Sequence, residues 1–328
     1  MALKVGELFA SFDLDASGMT GTIRTIETQL EGIGADMIRA GSTLSSMVTD
    51  PLKGIGKSIL SAGMDFTSQM SRVEAISGAS AAEMEKLNAE ALKMGSTTQF
   101  TATEAGQALE YMAMAGWKTS AMINGLEPIM NLAAASGENL ADVSDIVTDA
   151  MTAFGLEAKK ENIARFSDVL AQAASNSNTN VGLMGETFKY VAPVAGALGY
   201  NIEDAAIAIG LMANAGIKGS QSGTALRALL TRLSKPTKEV KTAMKELGLS
   251  MTTSTGEMKP LRQLMTEMRG KFSGLTEQEK ALYAATLAGQ EGMSGLLAIV
   301  SASDKDFNKL AASIDNCEGA TGRMAATV

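Results

Sequence analysis

The chain has 328 residues, with 28 basic and 36 acidic side chains, a net charge of −8, no histidine and one cysteine. Without histidine there is no Ser-His-Asp or Cys-His machinery and no His-ligated zinc, and a lone Cys317 gives neither an internal disulfide nor a thiolate cluster. Hydrophobic residues make up 45% but aromatics only 4%, and methionine alone accounts for 22 positions, a mix that favours helix over sheet.

In chain order, Glu7 interrupts the N-terminus before any long apolar stretch, so the start does not read as a signal peptide. A heptad follows. Met19, Ile23, Ile26, Leu30, Ile33, Met37, Ala40, Leu44 and Met47 alternate spacings of four and three, the pattern of a coiled-coil seam. Gly32, Gly34 and Gly41 weaken that helix by about 1 kcal/mol each relative to alanine, so it needs a partner. Self-association through Met19, Ile23, Ile26, Leu30, Ile33, Met37, Leu44 and Met47 is the expectation. Asp50 and Pro51 break the run, and a second periodic stretch restarts at Ile55, Ile59, Ala62, Phe66, Gln69, Val73 and Ile76.

Beyond Ser80 the chain reads as short capped helices. Ser80 with Glu83, Thr101 with Glu104, and Thr276 with Glu279 have capping-box spacing. Asn139 and Asn201 read as N-caps with first-turn acids. Gly95, Gly116, Gly137, Gly155, Gly199, Gly216, Gly248 and Gly289 fall where helices should stop. Most prolines fall near predicted starts; Pro193 lies inside an apolar run and should kink it. The one β element expected is a small hairpin over residues 249–258. Residues 281–300 are rich in Ala, Leu and Gly, but Gln290, Glu291 and Gly292 interrupt them, which favours a buried helix-turn-helix over a membrane span.

An internal repeat appears at a shift of 100 residues. Ala105, Met112, Ala113, Ala115, Gly116, Lys118 and Ser120 overlay Ala205, Met212, Ala213, Ala215, Gly216, Lys218 and Ser220. The unit is an amphipathic helix that ends in a glycine turn, and a weaker copy starts at Asn139. Lys118 and Lys218 are expected to offset helix C-termini, and Trp117 to be a buried anchor. The stretch from Gly216 to Thr224 lacks the order and leading strand of a phosphate loop, so it is read as a tight turn between packed helices. Acidic residues fall on helix starts and solvated faces, without groove-lining aromatics. No residue is therefore assigned a catalytic, cofactor-binding or metal-binding role, and the chain is not expected to be an enzyme. The acidic balance also argues against specific nucleic-acid binding.

The fold expected is mainly α: long N-terminal coiled-coil-like helices, then a globular multi-helix bundle with at most one small β-hairpin. The divisions expected are an arm over 1–50, a second long helix over 51–78 and an α-helical core over 79–328.

Residues from about 50 onward resemble the core region of phage tail tape measure proteins. The resemblance runs through Pro51, Leu52, Gly54 and Gly56, then Asp65, Phe66 and Met70. It continues at Gly95, Ser96, Thr97, Thr98, Phe100, Thr101, Glu104 and Ala105, then Ala115, Gly116 and Trp117. Asn176 to Asn180, Val191, Ala192 and Pro193 follow, then Ala215 to Ser220 and Gly223 to Arg227. Leu233, Pro236, Thr237, Leu247 and Gly248 complete it. The resemblance implies a structural protein of a phage or phage-like tail that sets tail length and is released on ejection. It implies a place in the tail lumen of the virion, and in the bacterial cytoplasm during assembly. The partners implied are the tail tube protein, tail assembly chaperones and baseplate or tail-tip proteins, with host-membrane contact on ejection. Two alternatives are a membrane-active channel and a tail-associated peptidoglycan hydrolase. The chain is expected to be an N-terminal piece of a longer tape measure protein.

Overall fold

Side-chain caps start many of the described helices in a computed structural model, which describes residues 62–327. The heptad over residues 19–47 and the Pro51 break lie outside the described residues. From Arg72 onward the chain forms one compact unit and is described by itself.

The first helix, α1, covers residues 62–77. The next are α2 (Ala81–Thr97), α3 (Ala102–Met114), α4 (Thr119–Ser136), α5 (Leu140–Ala153) and α6 (Lys160–Ser175). Then come α7 (Val181–Ala197), α8 (Ile202–Asn214), α9 (Gly219–Ser234), α10 (Lys238–Leu247) and α11 (Leu261–Ser273). The last are α12 (Glu277–Ser301), α13 (Asp304–Asp315) and α14 (Ala320–Ala325). Among the described residues the only β feature is an antiparallel bridge between Thr252 and Met258. The fold is mainly α, as the composition predicts.

The caps close as their spacing requires. The Thr101 N–H donates to Glu104 Oε2 at 2.7 Å while the Glu104 N–H donates to Thr101 Oγ1 at 3.2 Å. Thr276 and Glu279 repeat this at 2.8 and 3.3 Å. The Ser80 N–H donates to Glu83 Oε2 at 2.9 Å. Asn139 Oδ1 accepts from the Ala141 N–H and Asn201 Oδ1 from the Asp204 N–H, both at 2.8 Å. Each satisfies a helix-start donor that the helix itself leaves free.

The repeat is real at the level of backbone geometry. Both α3 and α8 are 13 residues long and stop before Gly116 and Gly216, at φ 77° and 86°. The next N–H then bonds back into the helix, Trp117 to the Met112 carbonyl at 3.0 Å and Ile217 to the Met212 carbonyl at 2.9 Å. This is the Schellman arrangement, which needs the left-handed conformation that glycine adopts cheaply. Trp117 and Ile217 are both buried, so Trp117 is an anchor, packed against Gly125 of α4.

Helices then alternate between two rows. In one row α3, α5, α7, α9 and α12 each pack on the next; in the other α4, α6, α8 and α13 do. Short α14 lies on α4 and α6, while α10 and α11 pack against α12. Phe188 lies edge-on to Phe154 and to Phe166, each at 5.8 Å between centroids, a favoured aromatic geometry. The two copies of the repeat enter this arrangement differently. In the first copy α3 belongs to the first row and α4 to the second; in the second copy α8 belongs to the second row and α9 to the first.

Three sequence expectations need correction. Gly95 does not end a helix but lies inside α2, where a Cβ would meet the Ala102 backbone nitrogen at 2.5 Å. Pro128 lies inside α4 and not near a helix start, whereas Pro193 lies inside α7, the interior position expected for it. Lys118 and Lys218 do not close the preceding helices. They are the N-cap residues of α4 and α9, and neither makes a side-chain cap bond. The Schellman glycine has already satisfied the preceding carbonyls, and the following residue must turn straight into the next helix. Gly289, by contrast, does break α12, with φ 74° and ψ 177°. That break makes the helix-turn-helix expected over residues 281–300.

Candidate functional site

The Asn201 cap sets up one side of a concave feature of the unit. It starts α8 so that Glu203 and Asp204 fall in its first turn, both nearly fully buried. Around them a cleft of about 980 Å³ is lined by residues of α6, α8, α11 and α13 and the segment that follows α13.

Several of its charges are paired, although Glu203 Oε2 is buried without a hydrogen-bond partner among the described residues. Arg262, on the first turn of α11, donates from Nε to Asp204 Oδ1 at 3.0 Å, and its backbone N–H donates to Asp204 Oδ2 at 3.0 Å. The same guanidinium donates from both terminal nitrogens to Asp315 at 2.8 Å each. Its pKa is raised, first by the Asp315 hydrogen bonds and also by the Asp204 charge. Arg165 pairs with Glu203. Asp168 accepts from the Gly319 N–H at 2.7 Å, the Thr321 N–H at 2.8 Å and the Thr321 hydroxyl at 2.7 Å. Beside the cleft, Lys259 donates to Glu267 at 2.6 Å and Gln263 donates to it at 3.0 Å. Burial works against the charged Glu267, but the Lys259 and Gln263 bonds outweigh it and hold its carboxyl below the usual range.

Cys317 also lines the cleft, buried and free. Burial, with the charges of Asp168 and Glu203, pushes its thiol up to about 11, so it stays protonated and unreactive at neutral pH. Cys317 is therefore not an activated nucleophile. Among the described residues no group of three or more His, Cys, Asp or Glu side chains is placed to hold a metal ion. What the arrangement does is mechanical: it ties α6 and α8 to segments that lie far along the chain.

The second dense region surrounds α9, where the turn-like stretch after Gly216 leads. Gly219 and Gly223 abut α7: a Cβ on Gly223 would meet Tyr190 Cβ at 2.6 Å and the Thr187 carbonyl at 2.7 Å. The Thr187 hydroxyl donates to the Gly219 carbonyl at 3.0 Å. On its other face Ala225 packs against Gly292 and Gly295 of α12. The stretch is a helix start clasped between two neighbours, as the tight-turn reading implies.

Sequence reasoning read Asp204 only as a first-turn acid after the Asn201 cap, and did not single out Asp168 or Arg262. Their partners lie 53 to 153 residues away, and no local spacing marks those pairings. No helix among the described residues is long and apolar enough to cross a membrane.

Comparison with known proteins places these features. Residues 88–289 match the family described as phage-related minor tail protein. The chain is similar to the tape measure protein of Pneumococcus phage Dp-1, 37% identical across 98% of this chain and 29% of that protein. It is also similar to the probable tape measure protein of Escherichia phage P2, 30% identical across 82% of this chain and 33% of that protein. The chain thus spans about a third of the length of the curated relatives it matches. No solved structure matches it.

Proposed function

This chain belongs to the family of phage-related minor tail proteins, and from that premise we propose that it acts as part of a tape measure protein, setting tail length through protein contacts. The observation that carries this reading is the 37% identity to a tape measure protein across 98% of the chain. The ion pairs of the cleft, which tie distant segments together, fit a structural role. The site proposed for it is the tail lumen of the virion, with release on ejection. The partners proposed are the tail tube protein, tail assembly chaperones and the baseplate or tail tip. Self-association through the heptad seam of Met19, Ile23, Ile26, Leu30, Ile33, Met37, Leu44 and Met47 belongs to the same proposal. No observation favours the membrane-channel or hydrolase readings over it.

Tail length tests the proposal directly. In a phage that encodes this chain, in-frame deletions or duplications in the tape measure polypeptide should change tail length on electron micrographs by about 1.5 Å per residue, the helical rise. Tails of unchanged length would overturn the reading. For the heptad, sedimentation of the chain with and without residues 1–50 should show association that depends on that segment; equal masses would remove it.

A further inference from the structure

The helix α10 carries an unpaired row of positive charge in an otherwise acidic protein. Lys238, Lys241 and Lys245 recur at spacings of three and four, one face of a helix, and Lys235 precedes them by one turn. All four are exposed, and no ion pair among the described residues engages them. The opposite face, Val240, Ala243 and Leu247, is buried, so α10 is held with its lysines outward. Lys238 sits at the helix start, where the macrodipole disfavours a cation, and an anionic partner there would offset that cost; Lys235 is the C-cap residue of α9.

The complementary row lies on α5. Asp142, Asp145 and Asp149 have the same spacing of three and four, and Glu138 precedes them by one turn. Asp142 is exposed, and the side chains of Asp145 and Asp149 are 36% and 52% exposed. Lys189 of α7 reaches Asp145 at 2.7 Å and Asp149 at 3.7 Å, so its single positive charge is shared between two of the three aspartates and the row keeps a net negative charge. Val143, Ile146, Val147 and Ala150 bury the other face. The two rows cannot meet within one molecule, because α7, α9 and α12 lie between α5 and α10 in the first row of helices.

We propose that the lysine row of α10 docks on the aspartate row of α5 in a second copy of this chain, head to tail. Both rows span about 10.5 Å at 1.5 Å per residue. With the helices running the same way, Lys238 faces Asp142, Lys241 faces Asp145 and Lys245 faces Asp149; reversed, the middle pair is off by about 1.5 Å. Such a contact uses two different surfaces, so it leaves a free row at each end and propagates. A second copy fits better than nucleic acid. Glu239 and Glu246 interleave with the lysines, and the Tyr283 hydroxyl donates to Glu246 at 3.0 Å, holding that carboxylate where a phosphate backbone would run. A membrane fits less well too, since the apolar face of α10 is already covered. Exposed ion pairs are individually weak and screened by salt, so the contact forms where copies are already concentrated. It is separate from the heptad seam, which is apolar and does not weaken with salt.

The test is sedimentation velocity of the full chain over a concentration series, at about 20 mM and about 0.5 M NaCl. The proposal expects a component of association present only at low salt. The variants Lys238→Glu with Lys245→Glu, and Asp142→Lys with Asp149→Lys, should each lose that component while keeping their helical circular dichroism. Mixing the two variants should restore it, because each then offers what the other lacks. A salt-independent component in all samples would belong to the heptad and leaves this readout intact. The proposal fails if wild-type mass is the same at both salts, if either variant keeps the salt-sensitive component, or if the mixture does not recover it. It also fails if the lysine face retains duplex DNA while the wild-type chain shows no salt-sensitive association.

Discussion

Asp168 on α6 holds Thr321 at the start of α14 from 153 residues away, accepting its N–H at 2.8 Å and its hydroxyl at 2.7 Å. Its second oxygen takes the Gly319 N–H at 2.7 Å. The carboxylate is 4% exposed, so water does not replace these bonds. Asp168→Ala should lower stability by about 3 kcal/mol, since charged hydrogen bonds are lost and donors are left buried. Hydrogen exchange at residues 319–325 should rise ahead of the rest. A variant with wild-type urea midpoint and exchange would refute this account of how α14 docks.

Arg262 gives a prediction that separates its two partners. Asp204 has a side chain 5% exposed, whereas that of Asp315 is 49% exposed. Arg262→Ala strands a buried charge and should cost about 3–5 kcal/mol. Asp315→Ala removes a largely solvated partner and should cost about 1 kcal/mol or less. Chemical denaturation of the two variants checks the order, and equal losses would contradict it.

Two helical glycines should respond oppositely to alanine. At Gly223 the new Cβ would meet backbone and Cβ atoms of α7 at 2.6 to 2.7 Å. Gly223→Ala should therefore cost about 1–3 kcal/mol by overpacking. At Gly270, inside α11, nothing lies within 4 Å. Gly270→Ala should gain about 1 kcal/mol from helix propensity. Thermal unfolding midpoints that move the same way in both would show that the α7–α9 contact is looser than described.

Alkaline pH should weaken the fold through Cys317. Its thiol has an ordinary value of 9.0, and burial raises it to about 11 in the folded chain. Between those values the unfolded chain releases the proton while the folded chain keeps it, so stability falls as pH rises. The contribution is complete below about 9. Cys317→Ala should flatten the stability profile across that window, as measured by urea titrations from pH 8 to 11. An unchanged slope would show that the thiol is not the group responsible. Tyr200, whose buried hydroxyl has no partner and is pushed up to about 12 by burial, should extend the decline further, and Tyr200→Phe should remove that portion.

Where the sequence was informative, its signals were short-range. Thr101 and Glu104, or Thr276 and Glu279, are three residues apart, and their hydrogen bonds can be read directly from that spacing. Gly116 and Gly216 were legible for the same reason. Lys118 and Lys218 show the limit: standing two residues past one helix and at the start of the next, they fit both roles by position. Only the path of the chain assigns them to the second helix. The charged rows of α5 and α10 have helical spacing, but their exposure depends on which faces the neighbouring helices cover. In the cleft only Asn201 and its first-turn acids had a local signal; Asp168, Arg262 and Asp315 had none.

By itself the sequence determined the mainly α composition, the helix starts at Ser80, Thr101, Asn139, Asn201 and Thr276, several glycine stops, the 100-residue repeat and the family resemblance. Each rests on interactions within a few residues or on the order of residue types along the chain. Tertiary structure decided the rest. It sets the two rows of helices, the exchange of rows between the two repeat copies, and the use of Gly95 and Gly223 for close helix approach. It also brings Asp168 to Thr321 and Arg262 to Asp204 and Asp315. Those relationships depend on packing between distant segments, where burial sets the strength of each charge and the volume left for each side chain.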